Sequence, residues 1–289
     1  MSFSNTIRLG AVEYLNARPL VYGLEAVPRF DLRYDIPSVC ARLLHEGAID
    51  VGLIPSIEYL RGPKPYALVP GPAVSSRGAV ASVAIYTRVE PRDIKTIAMD
   101  SSSRTSVALA TVLLRRMFGV TAEPVSMAPD LDAMLGKADA ALLIGDYALF
   151  LDHTTAAARL KPGPTSATLQ SAIQKIDLGE LWTRTTGLPF VYACWTGTPD
   201  VLTPGDVEVL QRARDEGAAH TDTVARAYYP GDPVRQAVAS AYLRDNIRYM
   251  LGPEELEGLQ TFYRFADELG LASFDGTLRQ YHAEPHPAR

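Results

Sequence analysis

The chain has 289 residues, of which 47% are hydrophobic and 21% are charged, and its formal net charge is −5. This composition and length suit one large globular domain or two medium ones. Because a nucleic-acid binder needs a basic face, and the sequence has no dense lysine or arginine run, we expect no nucleic-acid partner.

The N-terminal residues show no basic start followed by an apolar stretch, and no apolar run is long enough to span a bilayer. We therefore expect a cytoplasmic protein without a membrane partner. The two cysteines, Cys40 and Cys194, have two interpretations, a disulfide pair or two small buried hydrophobes, and the second is favoured.

Strand and helix patterns alternate through the first two thirds of the chain, which predicts an α/β fold with mostly parallel strands. The first strand is predicted over Ile7–Val12, followed by a turn at residues 13–17 and a helix that opens with Pro19. The next predicted elements are a helix over residues 38–46, a strand over residues 50–54 and a helical turn after Pro55.

The same order of elements returns in the middle of the chain. The predicted elements there are a strand over residues 96–99, a polar turn, helices over residues 105–118 and 131–136, a strand over residues 139–144 and a helix opening at Gly145. Residues 47–54 also resemble residues 136–143 in sequence. We therefore predict two similar lobes, residues 1–86 with 192–289 and residues 87–191, with a ligand cleft between them.

Two β-like stretches, residues 81–86 and 190–196, are predicted to carry the chain between the lobes. From Pro204 onward the chain is predicted to be helical, and this tail is expected to pack on the first lobe. Its predicted helices cover residues 204–219, 233–251 and 253–269, while residues 279–289 are expected to fray.

Polar turns follow four of the predicted strands, and ligands of open α/β sheets bind beyond the carboxyl ends of the strands. The most informative turn spans residues 101–106, where five hydroxyl side chains surround Arg104 at a helix N-terminus. Such an end suits a carboxylate or a phosphate. The alternative is a helix cap, but a cap needs only one such residue.

The other candidate ligand contacts each have an ordinary alternative. Asn16 and Ser56 follow strands and are also typical helix caps. Ser82 lies on the first predicted crossing, where its backbone is expected to face the cleft. Tyr192 and Trp195 lie on the second crossing, where aromatic side chains more often pack in the core or at a hinge.

The sequence carries no marker of metal, covalent or nucleotide chemistry. Its five histidines are scattered, and it contains no G-x-S-x-G, P-loop or G-x-G-x-x-G motif. Asp146 is either a general base or a cap of the following helix, and the cap is favoured. We expect no metal and no cofactor, and a reaction that an anion-binding site alone can promote.

Four short motifs occur in order along about two thirds of the chain. They are Tyr14-Leu15-Asn16-x-x-Pro19-Leu20, Asp50-Val51-Gly52-Leu53-Ile54-Pro55-Ser56, Ser103-Arg104-Thr105-Ser106 and Leu188-Pro189-Phe190-Val191-Tyr192-Ala193-x-Trp195. Together they resemble the chorismate dehydratase family of the futalosine route to menaquinone. The resemblance implies a type II periplasmic-binding-protein fold, with each lobe a sheet flanked by helices. It also implies a hydro-lyase that converts chorismate into 3-[(1-carboxyvinyl)oxy]benzoate.

This dehydration fits an anion-binding site, because hydrogen bonds to the ring carboxylate of chorismate strengthen as charge moves onto it. The resemblance implies Asn16 at the reacting region. The base is left open between Asp146 and the enolpyruvyl carboxylate of the substrate. The substrate-binding residues that we expect are Ser56, Ser82, Ser103, Arg104, Thr105, Ser106, Gly145, Tyr192 and Trp195.

Three rival functions share this fold. A transporter's binding protein should carry a signal peptide or a lipid-anchor cysteine, and an effector-sensing regulator should carry a DNA-binding helix pair before the first strand. The sister enzyme that forms 1,4-dihydroxy-6-naphthoate should present a histidine near the cleft, where this chain has Gly145 and Asp146, with His153 the nearest histidine. A homodimer is compatible with the sequence.

Overall fold

The computed structural model describes residues 6–100, 102–152 and 173–282. The described strands are β1 (Ile7–Val12), β2 (Phe30–Asp35), β3 (Val51–Pro55), β4 (Ala67–Ser76), β5 (Val83–Thr87), β6 (Thr96–Asp100), β7 (Glu123–Met127), β8 (Ala140–Ile144), β9 (Gln174–Asp177), β10 (Phe190–Gly197) and β11 (Arg248–Leu251). The described α-helices are α1 (Pro37–His45), α2 (Glu58–Arg61), α3 (Arg104–Phe118), α4 (Leu131–Leu135), α5 (Gly145–Phe150), α6 (Leu178–Thr186), α7 (Pro204–Ala219), α8 (Thr221–Tyr228), α9 (Pro233–Asp245) and α10 (Pro253–Glu268). Short 3₁₀ helices cover Leu15–Val21, Leu24–Ala26 and Pro91–Asp93.

Contacts between residues divide the chain into two compact units, Met1–Ser76 with Phe190–Arg289 and Arg77–Pro189. These boundaries differ from the predicted ones at residues 86/87 and 191/192. Strand β5 belongs to the second unit because it pairs with β8 and β9. Strand β10 starts within the first unit because it pairs with β3 and β4. Each of these predicted crossings therefore lies within one sheet.

Six described strands form the sheet of the first unit, in the order β11-β4-β10-β3-β1-β2. Strand β1 is parallel to β2 and β3. Strand β10 is antiparallel to both β3 and β4, and β11 is antiparallel to β4. This sheet therefore combines a parallel half with an antiparallel half.

The sheet of the second unit has five described strands in the order β7-β6-β8-β5-β9. Strand β6 is parallel to β7 and β8, and β5 is antiparallel to β8 and β9. This order matches β2-β1-β3-β10-β4 of the first sheet, so β3 and β8 occupy equivalent places. The two segments that resemble each other in sequence, residues 47–54 and 136–143, lead into these two strands.

The prediction of mostly parallel strands is wrong, because the described strands form four parallel and five antiparallel pairs. The alternation of strands and helices correctly predicts the parallel part of each sheet. In the first sheet, the strands added by antiparallel pairing, β4, β10 and β11, all follow that run along the chain. In the second sheet, β5 precedes the run and β9 follows it. Alternation alone does not show where such strands insert.

One central strand of each sheet, β3 in the first and β8 in the second, is buried along its whole length. Every residue of β3 and of β8 is buried, which agrees with their continuous apolar sequences. Cys40 and Cys194 are also buried and are not bonded to each other. Burial raises the pKa of each thiol to about 12, so both remain neutral, as the sequence suggests.

The C-terminal tail packs on the first unit, as predicted. Helix α7 begins at Pro204 as expected, after Thr203, whose Oγ1 accepts a hydrogen bond from the backbone N–H of Asp206 (3.2 Å). It packs on the 3₁₀ helix Leu15–Val21, and α10 packs on β10. The predicted helix over residues 233–251 is wrong in its last part, because residues 248–251 form β11 with alternating exposed and buried side chains.

Two further predictions, one for the helix at Pro19 and one for residues 279–289, differ from the structure. The predicted helix opening at Pro19 is a 3₁₀ helix that begins at Leu15 and has Pro19 inside it. Residues 279–282 are ordered against β4, because the Tyr281 N–H donates to the Leu68 carbonyl (2.9 Å), while residues 283–289 lie outside the described part. None of the described helices is long and apolar enough to cross a membrane.

Candidate functional site

Three of the predicted site residues share one edge of the first sheet. Asn16 follows β1, and Ser56 follows β3, which is parallel to β1. Because β10 is antiparallel to β3, with Ala193 opposite Pro55, Tyr192 lies at the same edge. Trp195 pairs with Leu53 and therefore lies deeper in the sheet.

Asn16 lies in the 3₁₀ helix that follows β1, and it is half-buried. Tyr14 occupies the cap position of this helix, so the alternative of Asn16 as the helix cap is wrong. The Asn16 side chain makes no hydrogen bond with any described residue. Its amide group, which can both donate and accept, is therefore available to a ligand.

Ser56 is fully buried, and its hydrogen bonds hold the edge of the sheet together. Its hydroxyl donates to the Val191 carbonyl (2.8 Å), and its backbone N–H donates to the Tyr192 carbonyl (3.0 Å). Burial raises the pKa of Tyr263 well above its usual range, so this phenol stays protonated and donates to the Ser56 carbonyl (2.5 Å). The hydroxyl proton of Ser56 is thus already used within the protein.

The two aromatic candidates on β10 differ in their surroundings. The Tyr192 hydroxyl lies 3.1 Å from the Ser76 hydroxyl, and its ring packs edge-on against Phe190. Trp195 is completely buried, and its indole N–H has no hydrogen-bond partner among the described residues. Sequence reasoning did not single out Ser76, because its partner lies more than a hundred residues away.

The remaining candidates share the corresponding edge of the second sheet. The turn after β6 and Gly145 after β8 lie together because β6 and β8 are parallel neighbours. Strand β5 is antiparallel to β8, with Val83 opposite Ile144. Ser82, which is 1% exposed, therefore lies beside Gly145. The second sheet thus gathers Ser82, the Gly145–Asp146 pair and the turn over residues 102–106 at one edge.

The turn before α3 contains a conventional helix cap as well as additional hydroxyls. Ser103 is the cap, and its side chain accepts from the Ser106 N–H (3.5 Å) and lies 3.1 Å from the Ser106 hydroxyl. Thr105 is fully buried. Asp100, which the sequence places at the start of this polar turn, is buried, and its carboxylate accepts from the Ser102 N–H (3.0 Å). Ser101 lies outside the described residues.

Gly145 and Asp146 begin α5, directly after β8. Gly145 has a φ of 62°, in the left-handed region that favours glycine. Ile144 occupies the cap position of α5 and makes no side-chain cap hydrogen bond. The favoured interpretation of Asp146 as the cap is therefore wrong, and its carboxylate stands in the first turn of the helix.

The backbone before Ser82 is held by a carboxylate that sequence reasoning missed. Ala81 has a φ of 64°, which is unusual for a residue other than glycine. The Asp177 carboxylate accepts from the N–H groups of Val80 (3.0 Å) and Ala81 (2.7 Å), and Lys175 Nζ donates to the Ala81 carbonyl (3.2 Å). These contacts follow from the pairing of β5 with β9, which brings residues almost a hundred positions apart together.

Within the described residues, no three His, Cys, Asp or Glu side chains gather as metal ligands would. His153, named above for the sister enzyme, falls outside the described ranges. The ligand cleft between the lobes, the absence of a cofactor and the homodimer stay predictions.

Comparisons with known proteins identify the family. A family model described as menaquinone biosynthesis matches residues 7–268. A chorismate dehydratase from Thermus thermophilus is 30% identical over 269 residues, which cover 91% of this chain and 95% of that protein. Both findings agree with the family that the four sequence motifs resemble.

Two solved structures share the fold. Protein AF1704 from Archaeoglobus fulgidus is similar with a TM-score of 0.68 at 18% identity, covering 93% of this chain and 100% of that one. The CA3427 gene product of Candida albicans, described as having the generic periplasmic binding protein fold, has a TM-score of 0.62 at 12% identity, covering 97% and 98%. The predicted periplasmic-binding-protein-like fold is confirmed, and the chain belongs to the menaquinone biosynthesis family.

Proposed function

We propose that this chain removes water from chorismate and releases 3-[(1-carboxyvinyl)oxy]benzoate. The observation that carries the proposal is the similarity of 91% of the chain to the Thermus thermophilus protein named chorismate dehydratase. The two sheet edges support it, because they present an amide, several hydroxyls and a helix N-terminus, which suit a ligand with two carboxylates.

The reaction needs orientation, charge stabilisation and one base. The C3 proton passes to the base, and its electron pair moves through the diene toward the ring carboxylate. The C4 hydroxyl then leaves with a proton as water, and the ring becomes aromatic. Hydrogen-bond donors aimed at the ring carboxylate lower the barrier, because negative charge grows there in the transition state.

At the first sheet, the proposal assigns Asn16 to the reacting region. Its amide hydrogen-bonds the C4 hydroxyl and assists its departure. Ser56 takes part by holding β10 and Tyr192 at this edge, because its own hydroxyl proton is donated to Val191. Trp195 offers a buried indole N–H that has no partner among the described residues.

At the second sheet, the proposal assigns a substrate carboxylate to the turn over residues 103–106. Arg104 supplies the positive charge, and the backbone N–H groups at the start of α3 supply directed donors. Ser82 and Gly145 contribute from the neighbouring strand ends.

Two groups remain candidates for the base. Asp146 stands in the first turn of α5 at the edge of the second sheet. The enolpyruvyl group of chorismate is attached to C3 through its ether oxygen, so its carboxylate can reach the proton that leaves C3. Asp146→Asn separates the two, because it removes turnover only if Asp146 accepts the proton.

We place the reaction at the first step of the futalosine route to menaquinone, in the cytoplasm. The family description supports the menaquinone pathway. Fractionation of cells that produce the tagged chain tests its location.

The test is to incubate the purified full-length chain with chorismate, with and without EDTA, and to follow both compounds by liquid chromatography. We expect chorismate to disappear and the aromatic ether to appear in both buffers. Asn16→Ala should lower kcat by about 100-fold or more, the scale of removing one well-placed donor. Asn246→Ala, the same change at the end of α9, is the matched control and should retain wild-type turnover.

Other outcomes contradict the proposal. Tight binding of chorismate or another organic anion without conversion would indicate a binding protein. Formation of 1,4-dihydroxy-6-naphthoate from the cyclised futalosine derivative would indicate the sister enzyme. Wild-type turnover by Asn16→Ala would remove Asn16 from the mechanism.

A further inference from the structure

Arg18 lies on the same 3₁₀ helix as Asn16, two residues further along the chain. Its guanidinium carbon is 4.2 Å from the centre of the Tyr34 ring and 5.3 Å from the centre of the Tyr228 ring. Both distances are within cation–π range. Tyr34 belongs to β2 and Tyr228 to α8, so Arg18 joins the 3₁₀ helix to two separate elements of the first unit.

The surroundings of Arg18 are unusual for a structural arginine. It forms no ion pair with a carboxylate of the described residues, and its Nε is buried without a hydrogen-bond partner among them. Leaving a buried donor unsatisfied is unfavourable. The aromatic rings are therefore the main contacts that fix this side chain. Burial and the neighbouring Glu25 raise the pKa of Tyr34 to about 12, although Arg18 acts to lower it, so the phenol stays neutral.

The C-terminal segment of α7 and α8 makes three further contacts, one with the Asn16 helix itself and two with the residues that flank it. Gly217 of α7 packs so closely that an added Cβ would lie 2.1 Å from the Pro19 carbonyl oxygen. His220 stacks on Tyr22, with ring centres 5.6 Å apart and planes 8° apart. The Tyr228 hydroxyl donates to the Glu13 carbonyl (3.2 Å), just before the 3₁₀ helix begins.

We propose that Arg18 is a positioning residue for Asn16, and that α7 and α8 form the support against which it acts. The 3₁₀ helix is short and lacks a side-chain cap, so its orientation depends on these contacts. Arg18 fixes the helix through the Tyr34 and Tyr228 rings, and the Asn16 amide is thereby held in one orientation at the sheet edge. The inference rests on the proposed function, because it concerns the residue assigned to the reacting region.

A positioning role differs in its kinetics from direct contact with the substrate. A residue that orients Asn16 acts on the transition state and lowers kcat. A guanidinium that binds a substrate carboxylate equally in the ground state and the transition state raises KM instead. The two roles are therefore separable in steady-state measurements with chorismate.

The experiment compares Arg18→Met, Arg18→Lys and Tyr228→Leu with the wild type, using circular dichroism to confirm folding. Arg18→Met should lower kcat by about 10- to 100-fold, as expected from a small misplacement of a reacting group, and KM should change by less than about threefold. Arg18→Lys should recover part of kcat, because an ammonium also binds an aromatic face. Arg42→Met, which removes an exposed arginine on α1, is the matched control and should behave as the wild type.

Two further measurements connect the effect to Asn16. In an Asn16→Ala background, adding Arg18→Met should cause no further loss of kcat, because the group it positions is absent. Backbone hydrogen exchange in Arg18→Met should become faster in the peptide covering residues 13–22. Exchange in the second unit should match the wild type.

The proposal is overturned if Arg18→Met and Tyr228→Leu leave kcat unchanged, or if Arg18→Met raises KM alone. It is also overturned if the Arg18 and Asn16 effects on kcat simply multiply. If the wild-type chain does not convert chorismate, the proposed function fails. Hydrogen exchange alone then tests whether Arg18 holds the Asn16 helix in place. Unchanged exchange over residues 13–22 in Arg18→Met would then refute the positioning role.

Discussion

Replacing Gly217 by alanine tests the close contact between α7 and the Asn16 helix. The new methyl carbon would lie 2.1 Å from the Pro19 carbonyl oxygen and 2.6 Å from the Pro19 Cα. Since favourable contacts are about 3.5–4.0 Å, the two elements must separate by more than about 1 Å. Overpacking costs about 1–3 kcal/mol, and we expect the upper part of this range because the obstacle is backbone.

Alanine also favours the helix by up to about 1 kcal/mol over glycine. The net loss in the free energy of unfolding is therefore about 2 kcal/mol, which lowers Tm by about 4–8 °C in a domain of this size. Differential scanning calorimetry measures this shift. Turnover of chorismate should fall as well, because the separation displaces Asn16.

Gly205 provides the matched control on the same helix. Its nearest atom to an added Cβ is the Thr203 hydroxyl oxygen at 3.8 Å, an ordinary contact. Gly205→Ala should therefore leave Tm unchanged or raise it slightly, and it should not alter turnover. If Gly217→Ala were as stable and as active as Gly205→Ala, the supporting role of α7 would be wrong.

Two further sites give stability predictions. Burial pulls the pKa of Asp206 upward, but hydrogen bonds from Arg29 and Thr203 outweigh it and hold this pKa below its usual range. Asp206→Asn should therefore lower the free energy of unfolding by about 1–3 kcal/mol at neutral pH. The difference in stability between wild type and variant should shrink below about pH 4, because the wild-type carboxylate then gains a proton. A difference that calorimetry finds to be the same at every pH would contradict this prediction. Ala81→Gly should raise the free energy of unfolding by about 0.5–1 kcal/mol, because glycine removes the strain of the left-handed backbone and this gain exceeds the entropy that glycine adds to the unfolded chain. Asp177→Asn should lower the free energy of unfolding, because it weakens the hydrogen bonds to the N–H groups of Val80 and Ala81. Urea titrations measure both changes. A lower stability of Ala81→Gly would show that the backbone at Ala81 is not strained, and a higher stability of Asp177→Asn would show that the Asp177 carboxylate does not hold it.

The sequence predicts well the elements whose own residues determine them. Strand β1 and helix α7 have the predicted bounds, because an apolar run defines the first and Thr203, Pro204 and Asp206 define the start of the second. Short edge strands were missed for a physical reason. Strand β7 contains Pro124, which an edge strand tolerates but which reads as a breaker in sequence, and β11 has only four residues.

In the candidate site too, the sequence predicts what local pattern determines and misses what tertiary contacts determine. The ends of parallel strands are visible in the sequence, and they correctly place Asn16 after β1 and the turn of residues 102–106 after β6. Contacts between distant segments are not visible there. Asp177 reaches the Ala81 backbone only through the pairing of β5 with β9, and Arg18 meets Tyr228 only because the tail packs on the first unit. Both sets of contacts depend on tertiary structure rather than on local pattern.

Proton NMR of the reaction of the wild-type chain with chorismate tests the central claim most directly, because it identifies the product as well as the turnover. We predict the ring signals of a meta-substituted benzoate together with the vinyl protons of a retained enolpyruvyl group. Asn16→Ala should give neither at a comparable rate. Loss of the vinyl protons with release of pyruvate, or chorismate that binds and remains unchanged, would contradict a dehydration at this site.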